Sequence, residues 1–252
     1  MFSLPPLALV LPLALAVLFA FSVETVLGFG ATLITVAIGS FFVDLETLLR
    51  AIAPLNLFLS LYLVARYRHE IDAGVLFRKL LPFMALGLPL GVALVAAIDA
   101  SILKRLFGVF LVCVSTLELV RSRRASAGSA TEPLGRGLEI ALLVSGGAIH
   151  GAFMTGGPMA VYVASRLVHD KGRYRATLSA LWAILNAVLL TTYAVRGQLG
   201  PTERGLTLAL SPAIALGMIA GELAFRRLPV TAFRTMVFVM LLASGVALVV
   251  RG

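Results

Sequence analysis

The stretch Gly146-Gly147-Ala148-Ile149-His150-Gly151-Ala152-Phe153-Met154-Thr155-Gly156-Gly157-Pro158 breaks an otherwise apolar run. Glycine lets the backbone leave a helix, and Pro158 suits the first turn of a helix that restarts. A matching break stands near the other end of the chain, at Ser22-Val23-Glu24-Thr25-Val26-Leu27-Gly28-Phe29-Gly30-Ala31-Thr32. Inside a bilayer, non-helical backbone survives only where it lines a cavity or is buried in protein. A restarted helix also aims unpaired N–H groups and a positive dipole end at that cavity. Two such ends facing each other would make an anion site. Taken alone, either glycine cluster reads as a close helix contact of the GxxxG kind.

The bilayer enters through composition. Of 252 residues, 60% are hydrophobic and 13% charged, against about a quarter charged in soluble domains. One core cannot hide that much apolar side chain, so lipid must cover much of it. The net charge of +9 does not point to nucleic acid, because the cations lie between apolar runs with no basic helix face. Cys113 is the single cysteine, which excludes an internal disulfide and a Cys-rich metal site; it reads as packing. No positive region precedes the first apolar stretch, so that segment is expected to stay in place and not be cleaved as a signal peptide.

Ten apolar segments can be read, at 4–23, 26–43, 51–65, 75–98, 102–120, 138–154, 156–168, 176–195, 205–224 and 230–250. About 20 residues are needed to cross the hydrocarbon, and the pair 26–43 and 156–168 is short or glycine-broken. The hydrophilic stretch 121–137, RSRRASAGSATEPLGRG, divides the segments five and five. The expected organisation is a first transmembrane repeat at 1–120, a cytoplasmic linker at 121–137 and a second repeat at 138–252. An offset of 130 aligns Ala85-Leu86-Gly87 and Gly91 with Ala215-Leu216-Gly217 and Gly221, and Asn56 with Asn186; near the breaks an offset of 127 sets Gly30 on Gly157. Whether the first two segments of a half both span or re-enter, the crossing number is odd. The second half then enters from the opposite side, the inverted-repeat plan of secondary transporters. The fold class expected is an all-α membrane protein of two inverted-topology repeats, each opened by a Gly-broken helical hairpin. Loops on one side carry 15 of the 21 cations and the other side 6. The positive-inside rule makes the first side cytoplasmic, with both termini periplasmic.

The candidate substrate-binding residues are Thr25, Gly28, Phe29, Gly30 and Asn56 in the first half, and Thr155, Gly156, Gly157 and Asn186 in the second. Asn56 and Asn186 each sit mid-segment, where interhelical hydrogen bonding is the plainer role. Glu24 and His150 are the ionisable groups at the two breaks, so they are candidates for proton coupling or pH sensing. Gly87, Gly91, Gly217 and Gly221 lack polar partners and read as packing faces. Glu222 reads as half of a helix-end ion pair with Arg226. There is no HExxH, GxSxG or P-loop motif, and Ser101-Ile102-Leu103-Lys104 reads as a helix start and not as S-x-x-K chemistry. Neither enzyme activity, a metal nor a cofactor is expected.

Two halves, each opening with a Gly-broken apolar hairpin, resemble the sulfite exporter TauE/SafE family. The motifs that carry the resemblance are Gly28-Phe29-Gly30-Ala31-Thr32 and Gly151-Ala152-Phe153-Met154-Thr155-Gly156-Gly157-Pro158. The resemblance covers the whole chain in segment layout. It implies movement of sulfite or an organosulfonate, usually outward, with the breaks lining the substrate site. Phe29 stands between two glycines where the family often has a glycine triplet. The function expected is a secondary transporter of a small anion, a probable exporter in a bacterial-type inner membrane. Its partners would be that anion and the lipid bilayer, with no nucleic acid and a homo-oligomer left open. The alternatives are an intramembrane enzyme using Glu24 and His150, or a channel or scaffold without carrier turnover.

Overall fold

The structure, a computed structural model, describes residues 6–125, 134–225 and 230–251. Besides a single 3-10 turn at Arg68–Glu70, the described residues form no strand and ten longer helices. They are α1 (Leu7–Leu27), α2 (Ala31–Gly39), α3 (Leu45–Tyr67), α4 (Ala73–Ala97), α5 (Ala100–Ala125), α6 (Arg136–Phe153), α7 (Gly157–Leu167), α8 (Lys171–Val195), α9 (Pro201–Phe225) and α10 (Val230–Arg251). Six of them are long and apolar enough to cross a membrane: α1, α3, α4, α5, α8 and α9. The chain is an all-α membrane protein. Residues 126–133 of the expected linker lie outside the described residues, and α5 continues as helix to Ala125.

The helices α2 and α7 have 9 and 11 residues. At 1.5 Å per residue they reach about half of a 30 Å hydrocarbon layer. Both double back along the preceding helix. Gly30 lies against Val23 and Gly39 against Leu13, so α2 runs antiparallel to α1; Gly156 lies against His150 and Gly146 against Met159, so α7 runs antiparallel to α6. Each pair therefore returns toward the face it came from. The loops group on two faces. Lys79 meets Glu139 at 3.6 Å and Arg173 meets Asp72 at 3.8 Å on the face that holds the start of α6, here the linker face. Glu46, Arg50, Asp99, Tyr193 and Arg196 gather on the opposite face.

Helix pairing keeps its form when the halves are exchanged. The closest pairs are α1 with α9 and α6 with α4, then α5 with α10 and α3 with α8. Small residues make the first two contacts. A Cβ on Gly87 or Gly91 would run into the backbone of α6 at Val144 and Ala148, and one on Gly147 or Gly151 into the backbone of α4 at Met84 and Leu88. Gly217 and Gly221 pack on α1 somewhat less tightly, against the Leu18 and Ser22 carbonyls. The packing role expected for these glycines holds. Leucines step along the other side of α4, where Leu86, Leu90 and Leu94 are exposed, as Leu216, Ile219 and Leu223 are on α9. With no core left to cover them, these are lipid faces. Cys113 is also exposed; it faces outward and does not pack in the core.

Gly91→Val should force α4 and α6 apart. The expected cost is about 3 kcal/mol, the upper end for overpacking. A thermal melt in detergent should show a lowered midpoint for Gly91→Val and none for Leu90→Val on the lipid face. Equal midpoints would contradict the contact.

Candidate functional site

Both breaks meet at one small buried cavity. Its lining includes Glu24, Phe29, Gly30, Thr32 and Asn56 from the first half, and His150, Met154, Thr155, Gly157, Trp182 and Asn186 from the second. Its volume is about 20 Å³, room for about one water molecule. The two breaks are built alike. α1 ends at Gly28 in a left-handed cap whose N–H donates to the Glu24 carbonyl at 2.7 Å, and α6 ends at Met154 in a left-handed cap whose N–H donates to the His150 carbonyl at 2.7 Å. The restarted helices are capped by Gly30 and Gly156. Glu24 and His150 thus hold equivalent places, four residues before the cap. The caps align at an offset of 126, not the 127 that glycine matching gives, so Gly30 is equivalent to Gly156 and Gly28 to Met154. Met154 has φ 53°, a conformation that costs a side-chain-bearing residue about 1–2 kcal/mol. Pro158 lies in the first turn of α7, as expected.

The polar groups around the cavity are half engaged. The Ala31 N–H donates to Glu24 Oε2 at 2.7 Å, so the Glu24 carboxyl caps α2 from the preceding helix. Asn56 Nδ2 donates to Thr32 Oγ1 at 3.0 Å, and Trp182 Nε1 donates to the Gly28 carbonyl at 2.8 Å. His150 stacks on Trp182, ring centroids 5.4 Å apart. Asn186 lies beside the imidazole without closing a hydrogen bond. His150 Nδ1 and Nε2, Asn56 Oδ1 and Asn186 Oδ1 are buried with no hydrogen-bond partner. Each such atom costs about 1–3 kcal/mol, a cost that a polar molecule held among them would offset.

Of the residues expected at the site, Phe29, Gly30, Asn56, Thr155, Gly157, Asn186, Glu24 and His150 line this cavity. Three lie beside it. Thr25 donates through Oγ1 to the Phe21 carbonyl and packs on Gly221 of α9. Gly28 rests against Arg175 and Leu178 of α8, and Gly156 against the Gly146 carbonyl. Thr32, Met154 and Trp182 are lining residues that the sequence did not flag.

Arg175 is a larger surprise. Counted in the sequence as a loop cation, it is 3% exposed. Its Nη1 donates to the Thr25 carbonyl at 3.2 Å and lies 3.5 Å from Glu222 Oε1, while its guanidinium sits 4.2 Å above the Tyr67 ring. The Tyr67 hydroxyl donates to Glu222, 3.1 Å from each oxygen. Glu222 therefore ties α9 to α8 and α3; Arg226, its expected partner, lies outside the described residues.

Among the described residues no group of three or more His, Cys, Asp or Glu side chains could hold a metal ion. The lining offers a small polar guest the two imidazole nitrogens of His150 and the Asn56 and Asn186 amides, beside the Thr32 and Thr155 side chains. Comparison with known proteins agrees with a transport role. The probable inner membrane transporter protein TsaS of Comamonas testosteroni is 26% identical over 175 residues, covering 67% of this chain and 69% of its own. No solved structure gives a significant match. The model of the sulfite exporter TauE/SafE family matches residues 13–248. Because that match runs from within α1 to within the last turn of α10, the chain belongs to the sulfite exporter TauE/SafE family of membrane transporters.

Proposed function

We propose that this transporter carries a small oxyanion, sulfite or a short organosulfonate, by alternating access and chiefly outward. The observation that carries the reading is the convergence of two restarted helices, with Asn56 and Asn186, on one cavity between the halves. Helix N-termini stabilise anions through oriented N–H groups and the helix dipole. The cavity is smaller than any sulfur oxyanion, so occupancy needs the halves to move. The exchange-invariant helix pairing supports such motion, since a half that pivots on its counterpart has a mirrored contact to adopt. We take the halves, 1–120 and 138–252, to be inverted repeats, because α2 and α7 double back and leave three crossings in each. Thr25, Gly28 and Gly156 stay in the proposed site as the backbone frame of the breaks.

We place the chain in a bacterial-type inner membrane, as the name of its Comamonas relative suggests. The cation split makes the linker face cytoplasmic and both termini periplasmic. An inside-negative potential supplies about 2.3 kcal/mol per charge per 100 mV. That drives anions outward without a coupling ion.

Two measurements test this. In proteoliposomes, radiolabelled sulfite should show saturable counterflow against internal sulfite. Flux that does not saturate would mean a channel, and chemical change of the sulfite an enzyme. For orientation, a fluorescent protein fused within 126–133 should fluoresce, and alkaline phosphatase fused at Gly252 should be active. The reverse pattern would overturn the topology.

A further inference from the structure

A second cavity of about 330 Å³ opens on the linker face, outside the central one. Its polar wall consists of His169, Lys171, Arg175, Tyr162, Tyr174 and Ser165, with no carboxylate among its lining residues. Lys171 and His169 stand at the rim, whereas Arg175 is buried at the base. Phe29 lines both this cavity and the central one, so the two adjoin at this residue. The cavity on the opposite face is about 390 Å³ and is charge-balanced, with Arg50 and Arg196 against Glu46 and Asp99. The charged side chains lining the linker-face cavity are cations, with Glu222 facing Arg175 from behind the wall at 3.5 Å, whereas the opposite lining carries both signs. A low-dielectric cleft lined by one sign of charge concentrates ions of the other sign.

We infer that the linker-face vestibule is a loading site for a small oxyanion, with Lys171 capturing it at the rim and Arg175 receiving it at the base. This rests on the carrier reading above and adds a second site and a loading side to it. Arg175 already spans the route inward, since it holds the Thr25 carbonyl, three residues before the Gly28 cap, and Glu222. Its planar fork suits an oxyanion as well as a carboxylate. An anion at the base competes with Glu222 for the guanidinium. Exchange of partners there loosens the tie between α8 and α9 beside the α1 break. Loading and release of the inner end of α1 are then one event. The opposite mouth, with balanced charge, has no such capture and serves as the exit.

The test is equilibrium dialysis of radiolabelled sulfite with the purified full-length protein in detergent, at low and high salt. Gly157→Val should fill the central cavity and leave a weak binding component that falls with salt. Adding Lys171→Glu should lower that component about tenfold, the scale of a partly screened charge reversal. Arg175→Gln should lower it too, but it cuts a structural tie; Lys171→Glu, at an exposed position, decides the matter once a thermal melt matches that of Gly157→Val alone. No residual binding in Gly157→Val, or residual binding indifferent to Lys171→Glu, would overturn the vestibule site. Identical binding by wild type and Gly157→Val, both lowered by Lys171→Glu, would keep the vestibule and refute the central site instead.

Discussion

Gly30→Val is expected to lower sulfite flux in proteoliposomes at least a hundredfold, with Gly157→Val close behind. Gly30 has φ +116° at the cap of α2, a conformation that L side chains rarely adopt. Forcing valine there costs about 3 kcal/mol of local strain or a rebuilt break, a factor of about a hundred in the population of the competent geometry. The rebuilt break would also swing the first N–H groups of α2 away from the cavity. Gly157 acts differently. Its φ is ordinary, and an added Cβ meets the Phe29 ring at 3.3 Å. Alanine should therefore be tolerated in part, whereas valine fills a cavity of only about 20 Å³. Gly137, where an added Cβ would meet nothing within 4 Å, is the control, and Gly137→Val should keep wild-type flux. If Gly30→Val and Gly157→Val both transport as wild type at equal protein amounts, the breaks do not hold the substrate.

The layout of ten helices was legible because lipid imposes length and apolarity, and both are written one residue at a time. Helix ends were less so. The first segment reads as ending at Val23, before the polar Glu24 and Thr25, yet α1 continues to Leu27. Both polar groups are used at short range: Thr25 donates to the helix carbonyl four residues back, and Glu24 caps the next helix. The third segment reads from Ala51, although α3 starts at Leu45, with Arg50 and Glu46 paired to each other one turn apart. The π-helical turn at Leu76–Leu80 in α4 has no sequence mark. The register of the breaks was off by one for a definite reason. Glycine was used to align them, but the left-handed cap of α6 falls on Met154, a residue type that gives no hint of positive φ.

The lining of the central cavity was legible where it depends on backbone and illegible where it depends on tertiary partners. Glycine and proline mark where a chain can break, and a mid-segment asparagine is rare enough in lipid to be noticed. Trp182 passed as one more apolar residue, because its stacking on His150 and its hydrogen bond to Gly28 cross between helices distant in sequence. Arg175 was misread for the opposite reason. Hydropathy assigns an arginine near a segment end to water, and only the fold brings Tyr67 and Glu222, 108 and 47 residues away in the numbering, around it.

Glu24→Gln and His150→Gln are expected to flatten the pH dependence of sulfite flux. They are the titratable groups among the cavity-lining residues, with Arg175 the nearest fixed cation to the α1 break through its bond to Thr25. An ionised Glu24 repels an incoming anion, while a protonated one donates to it. A protonated His150 adds an attractive charge that the neutral ring lacks. Both groups therefore favour the anion when protonated, so wild-type flux should rise as pH falls through their titration and decline as pH rises. The variants separate this from a structural role. Glutamine at position 24 keeps an oxygen to accept the Ala31 N–H, so α2 stays capped while the titration is removed; alanine loses the cap as well, at about 1 kcal/mol. Flux by Glu24→Gln should equal or exceed wild type at high pH, where the carboxylate repels most, and vary less with pH. His150→Gln should lose the acid-side gain while an unchanged thermal melt reports an intact fold. Two profiles that overlay the wild type after scaling for protein amount would remove both residues from coupling, leaving Glu24 as the cap of α2 and His150 as a ring stacked on Trp182.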